Sequence, residues 1–194
     1  MIDTLVRELP AARALGVGER LGLGAAGYAY VTLHRPSNVD DPGRLARLVE
    51  LLRSLGARLP VAFPVHPRTR ERLRAAGLEA TLGEAPGVLA LEPLGYRESL
   101  SLMAGARVVL TDSGGVQEET THLGVPCLTL RPNTERPVTV SLGTNTVVGE
   151  DIERVLPLVD EVLAGRYKKG QPIPGWDGRA AERVAAALVE RYGD

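Results

Sequence analysis

Residues 110–124 read LTDSGGVQEETTHLG, and they join the end of an apolar strand to a glycine-containing turn and a polar helix. A strand that passes directly into a helix is the repeating unit of α/β folds. A simple turn needs one glycine, whereas Gly114 and Gly115 together let the backbone approach a ligand without a Cβ in the way. The stretch therefore predicts a parallel sheet with a binding site at its edge.

The same strand-then-helix order repeats along the whole chain. We expect strands at 28–34, 61–66, 88–92, 107–111, 126–130 and 145–149, and helices near 3–15, 42–55, 68–77, 96–106, 114–123, 151–164 and 178–191. This alternation predicts an α/β fold, a Rossmann-like three-layer sandwich around a parallel sheet. A length of 194 residues fits a single domain that spans 1–194.

Charge and composition limit the partners of the chain. It carries 23 basic and 24 acidic side chains, for a formal net charge of -1. That balance lacks the basic excess that attracts nucleic acids or an anionic membrane surface, so we expect no nucleic-acid partner and no membrane partner. We recognise no signal peptide and no apolar run long enough to span a bilayer. The lone Cys127 has an apolar setting typical of a reduced, buried thiol, which favours a cytoplasmic protein.

Polar clusters follow four of the expected strands. They are His34-Arg35, His66-Pro67-Arg68, Asp112-Ser113-Gly114-Gly115 and the run from Arg131 to Arg136. In open parallel sheets, ligands bind in the crevice outside the carboxyl ends of the strands. We therefore expect these four clusters to lie around one ligand site.

The glycine turn has two interpretations. The first amides of the helix lack intrahelical partners and bind anions, Ser113 can donate a hydroxyl to phosphate, and Glu118 or Glu119 can accept the hydroxyls of a ribose. Alternatively, Asp112 or Ser113 only caps the helix, and the glutamates favour its positive end. The residues alone do not separate these interpretations.

The loop RPNTERP at 131–137 places two arginines at the carboxyl end of a strand. A guanidinium fork there can reach phosphate. Alternatively, Pro132 and Asn133 form a turn and the arginines are solvated. Taken by itself, the loop favours the turn.

The three histidines differ in their expected roles. His34 is a candidate proton donor or phosphate contact, or else a histidine bonded to a backbone carbonyl. His66 has the same two interpretations, and we expect His122 to be structural or exposed. Their spacing does not suit a zinc site, so we expect no metal and no cofactor.

These motifs occur in order as VTLHRPSNVDDP (31–42), PVHPRTR (64–70), LEPLGYRES (91–99), the opening stretch, RPNTERP, and WDGRAAERV (176–184). The series resembles the carboxyl-terminal domain of the non-hydrolysing UDP-N-acetylglucosamine 2-epimerases. The resemblance implies one Rossmann-like half of a glycosyltransferase-B-type architecture, with the active site in the cleft between two domains. It implies an isomerase that interconverts UDP-N-acetylglucosamine and UDP-N-acetylmannosamine by elimination and re-addition of UDP, in the cytoplasm and in cell-envelope polysaccharide biosynthesis.

The resemblance also assigns roles to individual residues. It places His34 close to the reacting groups, as the catalytic residue on this chain. The residues it assigns to UDP binding are Arg35, His66, Ser113, Gly114, Gly115, Glu119 and Arg136. Among these, Ser113 and the glycine pair match the diphosphate site, and Glu119 matches the ribose site.

The chain departs from the family in two respects. It has roughly half the expected length, and the carboxylates that the family uses for acid-base chemistry are implied to lie in an absent amino-terminal domain. The family's HRRE reads HRPS here, so Pro36 and Ser37 supply neither an arginine nor a glutamate. We therefore expect UDP or UDP-N-acetylglucosamine binding with little turnover unless an amino-terminal epimerase half is present. A stand-alone UDP-sugar binding module and the donor half of a glycosyltransferase are the alternatives, and a homodimer is left open.

Overall fold

The chain folds around one six-stranded parallel sheet, as described by a computed structural model that covers residues 1–24 and 27–193. The strands are β1 (Ala29–Thr32), β2 (Val61–Pro64), β3 (Val88–Leu91), β4 (Val108–Thr111), β5 (Cys127–Thr129) and β6 (Asn145–Val147). Their order across the sheet is β3-β2-β1-β4-β5-β6, and all paired neighbours run parallel. This is the strand order of a doubly wound Rossmann fold, so the predicted fold class is confirmed.

Helices connect the strands and cover both faces of the sheet. They are α1 (Ile2–Ala14), α2 (Val17–Arg20), α3 (Pro36–Val39), α4 (Pro42–Gly56), α5 (Pro67–Ala75), α6 (Glu79–Gly83), α7 (Tyr96–Gly105), α8 (Gly114–Leu123), α9 (Pro137–Ser141), α10 (Val155–Leu163, preceded by a 3-10 turn at Ile152–Arg154) and α11 (Ala180–Tyr192). The sequence predicted the longer helices, whereas α2, α3, α6 and α9 are short helices in segments for which it predicted none.

Alternation of side chains along each strand divides the core between the two faces. On β4, Val108 and Leu110 belong to the cluster that α4 and α10 cover, whereas Val109 belongs to the cluster that α1 and α7 cover. Successive residues of a strand point to opposite faces, and a parallel sheet buries both. All three of these valine and leucine side chains are fully buried. The sheet is therefore the middle layer of the predicted three-layer sandwich.

A glycine contact sets the spacing between α4 and β3. Gly87 has a φ of 75°, and a Cβ built on it would lie 2.3 Å from the carbonyl oxygen of Gly56 at the end of α4. A side chain here would face both a disfavoured backbone conformation and a clash with backbone atoms. Glycine at 87 thus lets the helix end close to the edge of the sheet.

The first strand is shorter than the sequence predicted. We expected it to run to His34, but β1 ends at Thr32, and α3 begins at Pro36. The backbone amides of His34 and Arg35 donate to the carboxylate of Asp112 instead of to a neighbouring strand. The second strand likewise ends early, at Pro64, and His66 caps α5 by accepting a hydrogen bond from the amide of Arg68.

The last helix has little contact with the rest of the described residues. None of its residues is buried, and Val184, Leu188 and Tyr192 are 59%, 53% and 70% exposed. These positions are spaced by four, so they share one face of α11. Its first turn is tied to α1, because the amide of Ala181 donates to Asp3 at 2.8 Å. None of the helices within 1–24 and 27–193 combines the length and apolarity that crossing a membrane requires.

Candidate functional site

The candidate site lies where the sheet changes direction. Strands β1 and β4 are neighbours in the middle of the sheet, yet the chain continues from each to opposite sides of it. Their last residues, Thr32 and Thr111, are register partners whose hydroxyl oxygens lie 2.8 Å apart. Loops that leave adjacent parallel strands in opposite directions open a crevice between them, which is the usual ligand site of such sheets.

Asp112 organises the loop on the far side of this crevice. Its side chain is fully buried, and its Oδ2 accepts hydrogen bonds from the backbone amides of His34 at 3.0 Å and Arg35 at 2.9 Å. It also accepts a hydrogen bond from the side-chain Nδ2 of Asn38 at 3.1 Å. The same nitrogen donates to the carbonyl of Leu130 at 2.8 Å. One carboxylate therefore joins the loop after β1 to the ends of β4 and β5.

His34 is held beside this carboxylate. Its Nδ1 lies 3.2 Å from Asp112 Oδ1, and its ring centroid lies 5.2 Å from that of His66, with the rings tilted by 32°. Burial lowers the pKa of His34, and neighbouring His66 and Arg35 lower it further, against the opposing attraction of Asp112. The neutral imidazole is therefore favoured near pH 7. The alternative of a histidine bonded to a backbone carbonyl is wrong.

Arg35 has a fixed backbone and an exposed side chain. Asp112 holds its amide, and it precedes α3 in an extended conformation. Pro36 begins α3 because its fixed φ suits the first position of a helix, where no amide donor is needed. Pro36 and Ser37 of the variant HRPS stretch thus begin a short helix, and the side chain of Arg35 just before it is exposed.

The first turn of α8 faces the same crevice. Ser113 is the residue before the helix, and its hydroxyl makes no capping hydrogen bond, while its amide donates to Thr111. Asp112 faces the β1 loop, and the first turn of α8 contains no acidic residue. The alternative, in which Asp112 or Ser113 caps the helix and the glutamates stabilise its start, is therefore wrong. Ser113, Gly114 and Gly115 are half-buried and present this turn to the crevice.

The two glutamates of α8 have separate partners. Glu119 is 7% exposed and accepts a hydrogen bond from the hydroxyl of Tyr96 at 2.9 Å. Burial raises the pKa of Glu119, and the hydrogen bond from Tyr96 offsets part of that rise. Glu118 instead lies 3.2 Å from Nε of Arg136. Only Glu119 is thus oriented by a neighbouring hydroxyl on the α7 side of the helix.

The loop after β5 is fastened across the start of α8. Thr134 donates to the buried side chain of Gln117 at 2.5 Å. Arg131 is paired with Glu135 through both guanidinium nitrogens, at 2.9 and 2.6 Å, and its side chain is only 13% exposed. The interpretation of a solvated arginine is therefore wrong for Arg131, whereas the side chain of Arg136 is 43% exposed.

Arg136 combines an exposed head with a buried nitrogen. Its Nε is shielded from solvent and lies close to Glu118, but its N–H is not aligned with that oxygen and has no hydrogen-bond partner within the described part of the chain. Its Nη1 donates to the carbonyl of Glu135 at 3.2 Å. The Arg136 side chain as a whole is 43% exposed, so its guanidinium group can still donate to an anion in the crevice.

The structure brings the predicted residues around one crevice, but the sequence reasoning missed three that organise it. The sequence placed Asp112 in a polar cluster and offered it as a possible helix cap, and it indicated no role for Asn38 or Tyr96. A lone aspartate at the end of a strand as apolar as VVLT is a usable signal, because a buried carboxylate requires donors. No comparable signal marks Tyr96, whose partner lies 23 residues further along the chain.

Comparison with known proteins identifies a family and several relatives that this chain resembles. The family model described as UDP-N-acetylglucosamine 2-epimerase matches residues 1–189. The UDP-N-acetylglucosamine 2-epimerase of Methanocaldococcus jannaschii is 41% identical over 164 residues, which cover 84% of this chain and 44% of that protein. The UDP-2,3-diacetamido-2,3-dideoxy-D-glucuronate 2-epimerase of Pseudomonas aeruginosa is 36% identical over 165 residues, which cover 84% of this chain and 45% of that protein.

A solved structure extends the similarity to three dimensions. The M. jannaschii UDP-GlcNAc 2-epimerase in complex with UDP-GlcNAc and UDP superposes with a TM-score of 0.82 at 36% identity, covering 97% of this chain and 52% of that one. The chain thus spans about half the length of the relatives it matches.

Proposed function

Because this chain belongs to the UDP-N-acetylglucosamine 2-epimerase family, we propose that it is the UDP-binding, carboxyl-terminal half of a non-hydrolysing epimerase. Its reaction interconverts UDP-N-acetylglucosamine and UDP-N-acetylmannosamine. The observation that carries the proposal is that α8 offers an uncapped first turn and, on the same helix, the buried Glu119 carboxylate. The first suits a diphosphate and the second a ribose.

The diphosphate is held at the start of α8. The amides of Gly114 and Gly115 and the free hydroxyl of Ser113 are its donors, and the half-paired guanidinium of Arg136 neutralises its charge. Arg35 reaches the same space from the opposite loop. This set of donors favours UDP most strongly when UDP carries its full charge as a leaving group.

The ribose is held one and a half turns further along. The hydroxyl of Tyr96 donates to Oε1 of Glu119 at 2.9 Å, and the other carboxylate oxygen is left to accept from the sugar hydroxyls. Glu119 is five positions after Gly114, and five steps along a helix rise about 7.5 Å. That length matches the separation of a diphosphate from the hydroxyls of its own ribose.

The chemistry begins with loss of UDP. A base removes the proton from C2 of the sugar, the C1–O bond breaks with its electron pair leaving on UDP, and a C1–C2 double bond forms in the resulting 2-acetamidoglucal. Re-addition of UDP at C1 and protonation of C2 on its other face complete the inversion. This chain stabilises the departing diphosphate, and neutral His34 and the adjacent His66 lie at the reacting side of the crevice.

The base for C2 is proposed to come from an amino-terminal half. The carboxylate in contact with His34 is Asp112, which is fully buried and already accepts three N–H groups. It is therefore not exposed to a sugar. The exposed apolar face of α11, formed by Val184, Leu188 and Tyr192, suits packing against that second half.

We further propose that residues 1–194 act as a single domain, since one sheet carries both core clusters. The proposal places the protein in the cytoplasm, in keeping with the single, fully buried Cys127. A homodimer also belongs to the proposal. Size-exclusion chromatography with light scattering tests it, and a purely monomeric chain across micromolar concentrations contradicts it.

A stand-alone UDP-sugar binding module is the second candidate. It is favoured by one contrast: this chain offers the proposed nucleotide contacts, whereas the carboxylate beside His34 already accepts three N–H groups. An epimerase assay with and without a separately supplied amino-terminal half distinguishes the two candidates. Turnover that appears only with both halves, with deuterium from heavy water at C2 of the product, supports the epimerase. Binding without turnover in either case supports the module.

Calorimetric titration with UDP tests the nucleotide site itself. We expect binding by the wild type and weaker binding by Ser113→Ala and by Arg136→Ala. Ser141→Ala and Arg53→Ala are matched controls, because both residues are exposed and lie on other helices. No binding by the wild type, or equal affinity in all five proteins, contradicts the proposed function.

A further inference from the structure

The carboxylate of Glu135 lies directly over the start of α8. Its Oε2 is 3.7 Å from the position that a Cβ on Gly114 would take, which is van der Waals contact distance. The side chain reaches this place from the loop after β5, whose position is fixed by the hydrogen bond between Thr134 and Gln117. An anionic group of the protein itself therefore lies beside Gly114 at the start of α8.

Three positive features surround this carboxylate. Arg131 binds both of its oxygens, Arg35 lies within electrostatic range, and the amino-terminal end of α8 carries the positive end of the helix dipole. The hydrogen bonds from Arg131, and then the backbone amide of Glu135, lower the pKa of Glu135 to about 2. Glu135 is thus ionised throughout the physiological pH range.

The paired hydrogen bonds from Arg131, next to a helix start, are an arrangement that can also bind a phosphate group. A guanidinium fork binds carboxylate and phosphate oxygens with the same paired geometry, and a helix start attracts either anion. Two anions cannot share the position, because like charges in contact repel. Either Glu135 moves when a diphosphate binds, or the diphosphate binds elsewhere.

We propose that Glu135 is an internal substitute for the diphosphate, which occupies its position in the unliganded protein and is displaced when the nucleotide binds, so that Arg131 becomes a diphosphate ligand. The inference rests on the proposed function and adds Arg131 to the binding residues. The two side chains differ as this exchange requires. That of Glu135 is 56% exposed and can turn into water, whereas that of Arg131 is 13% exposed and stays in place.

The exchange also has a consequence for selectivity. A ligand must outcompete a carboxylate that is tethered to the site and therefore always present at high effective concentration. A diphosphate, with more charge and more acceptor oxygens than a carboxylate, can do so. A small monoanion gains too little from Arg131 and α8 to displace Glu135. The carboxylate thus keeps the site closed to abundant weak anions.

The test compares UDP affinity in variants of the full chain. We expect Glu135→Ala and Glu135→Gln to bind UDP roughly three- to tenfold more tightly than the wild type, because the competitor is removed and the Arg131 fork is free. Arg131→Ala binds more weakly. In the double variant Arg131→Ala/Glu135→Ala the gain disappears. Glu79→Gln is the matched control, since it breaks an exposed pair with Arg74 by the same charge change on a distant helix.

Weaker or unchanged binding in Glu135→Ala overturns the inference, because Glu135 then only orients Arg131 or has no part in binding. Unchanged binding in Arg131→Ala overturns it as well. Thermal unfolding of each variant shows whether the loop remains folded, and a second measurement with inorganic pyrophosphate removes the contribution of the nucleoside. If the wild type binds no UDP, the proposed function fails. If UDP binds equally with and without the Glu135 carboxylate, the function stands and this inference fails.

Discussion

The carboxylate of Asp112 holds both the backbone amide of His34, at 3.0 Å, and its imidazole Nδ1, at 3.2 Å. The two residues are 78 positions apart in the chain and meet because β1 and β4 are neighbours. One buried charge therefore determines where the β1 loop lies and how the ring of His34 is oriented. Stability and the orientation of His34 are coupled at this contact.

The first prediction concerns Asp112→Asn. Asparagine keeps only one oxygen for the amides of His34 and Arg35, its NH₂ group brings a donor against the amide of His34, and the negative charge is lost, so we expect a loss of about 2–4 kcal/mol in the free energy of unfolding. Urea denaturation measures it. Asp160→Asn, which breaks an exposed pair with Arg58, is the control and leaves stability unchanged. A stability equal to that of the wild type contradicts the role of Asp112 as the organiser of the loop.

The second prediction concerns pH and His34. Its pKa in the folded protein is lowered by burial, while the unfolded chain has the ordinary value of about 6.5. The unfolded chain therefore binds more protons, so this contribution to stability is present above pH 6.5 and is lost as the pH falls toward the folded pKa. We expect the wild type to lose more stability than His34→Gln between pH 7.5 and 5.5, as measured by denaturation at each pH.

Proton NMR gives a direct check on the same residue. The ring signals of His34 titrate below 6.5 in the wild type, and His66→Gln moves that midpoint upward, because a positive charge at His66 disfavours a second one at 5.2 Å. A midpoint at or above 6.5 in the wild type shows instead that the attraction of Asp112 outweighs the effect of burial on the pKa of His34.

The third prediction concerns Tyr96→Phe. Loss of the hydroxyl removes the hydrogen bond that orients Glu119, so UDP binding weakens about two- to tenfold. The discrimination between UDP and its 2′-deoxy analogue also falls, which a change of general stability does not cause. Tyr192→Phe, on the exposed face of α11, is the matched control. If the discrimination between the two nucleotides is unaltered, Tyr96 takes no part in ribose recognition.

The fourth prediction separates folding from binding at Gly114. An alanine Cβ there meets only Glu135, at 3.7 Å, so Gly114→Ala stays within about 1 kcal/mol of wild-type stability. The same methyl group projects into the proposed diphosphate position, so UDP affinity falls at least about tenfold. Gly87→Ala has the opposite effect. It lowers stability, because its Cβ clashes with the backbone of Gly56, and it leaves UDP affinity unchanged, because it lies far from the site. Full UDP affinity in Gly114→Ala places the diphosphate elsewhere.

The fifth prediction concerns the apolar face of α11. Leu188→Glu leaves the stability of the separate chain unchanged, since the side chain is 53% exposed and α11 buries no residue. It weakens association with an amino-terminal half, because a charge is buried there without a partner. Ala186→Glu, about 200° away around the helix, is the control. If both variants associate equally in analytical ultracentrifugation, α11 is not part of that interface.

Much of the fold was predictable because its signals are local. Short apolar runs that alternate with amphipathic segments predicted all six strands and the long helices, and the glycine pair after VVLT marked the start of α8. Strand ends were less predictable. The run YAYVTLH has strand propensity to its end, but the amides of His34 and Arg35 are taken by Asp112, and no local pattern records that competition.

The sequence by itself determined a parallel α/β sheet with polar clusters at the carboxyl ends of its strands, because hydrophobic periodicity and turn chemistry act over a few residues. Only the tertiary structure decided which clusters face each other. The pairing of β1 with β4 brings Asp112 to His34, the packing of α7 brings Tyr96 to Glu119, and the loop after β5 places Glu135 before Gly114. These contacts depend on strand order and helix packing, which arise from the burial of the whole core and leave no trace in any single stretch of the chain.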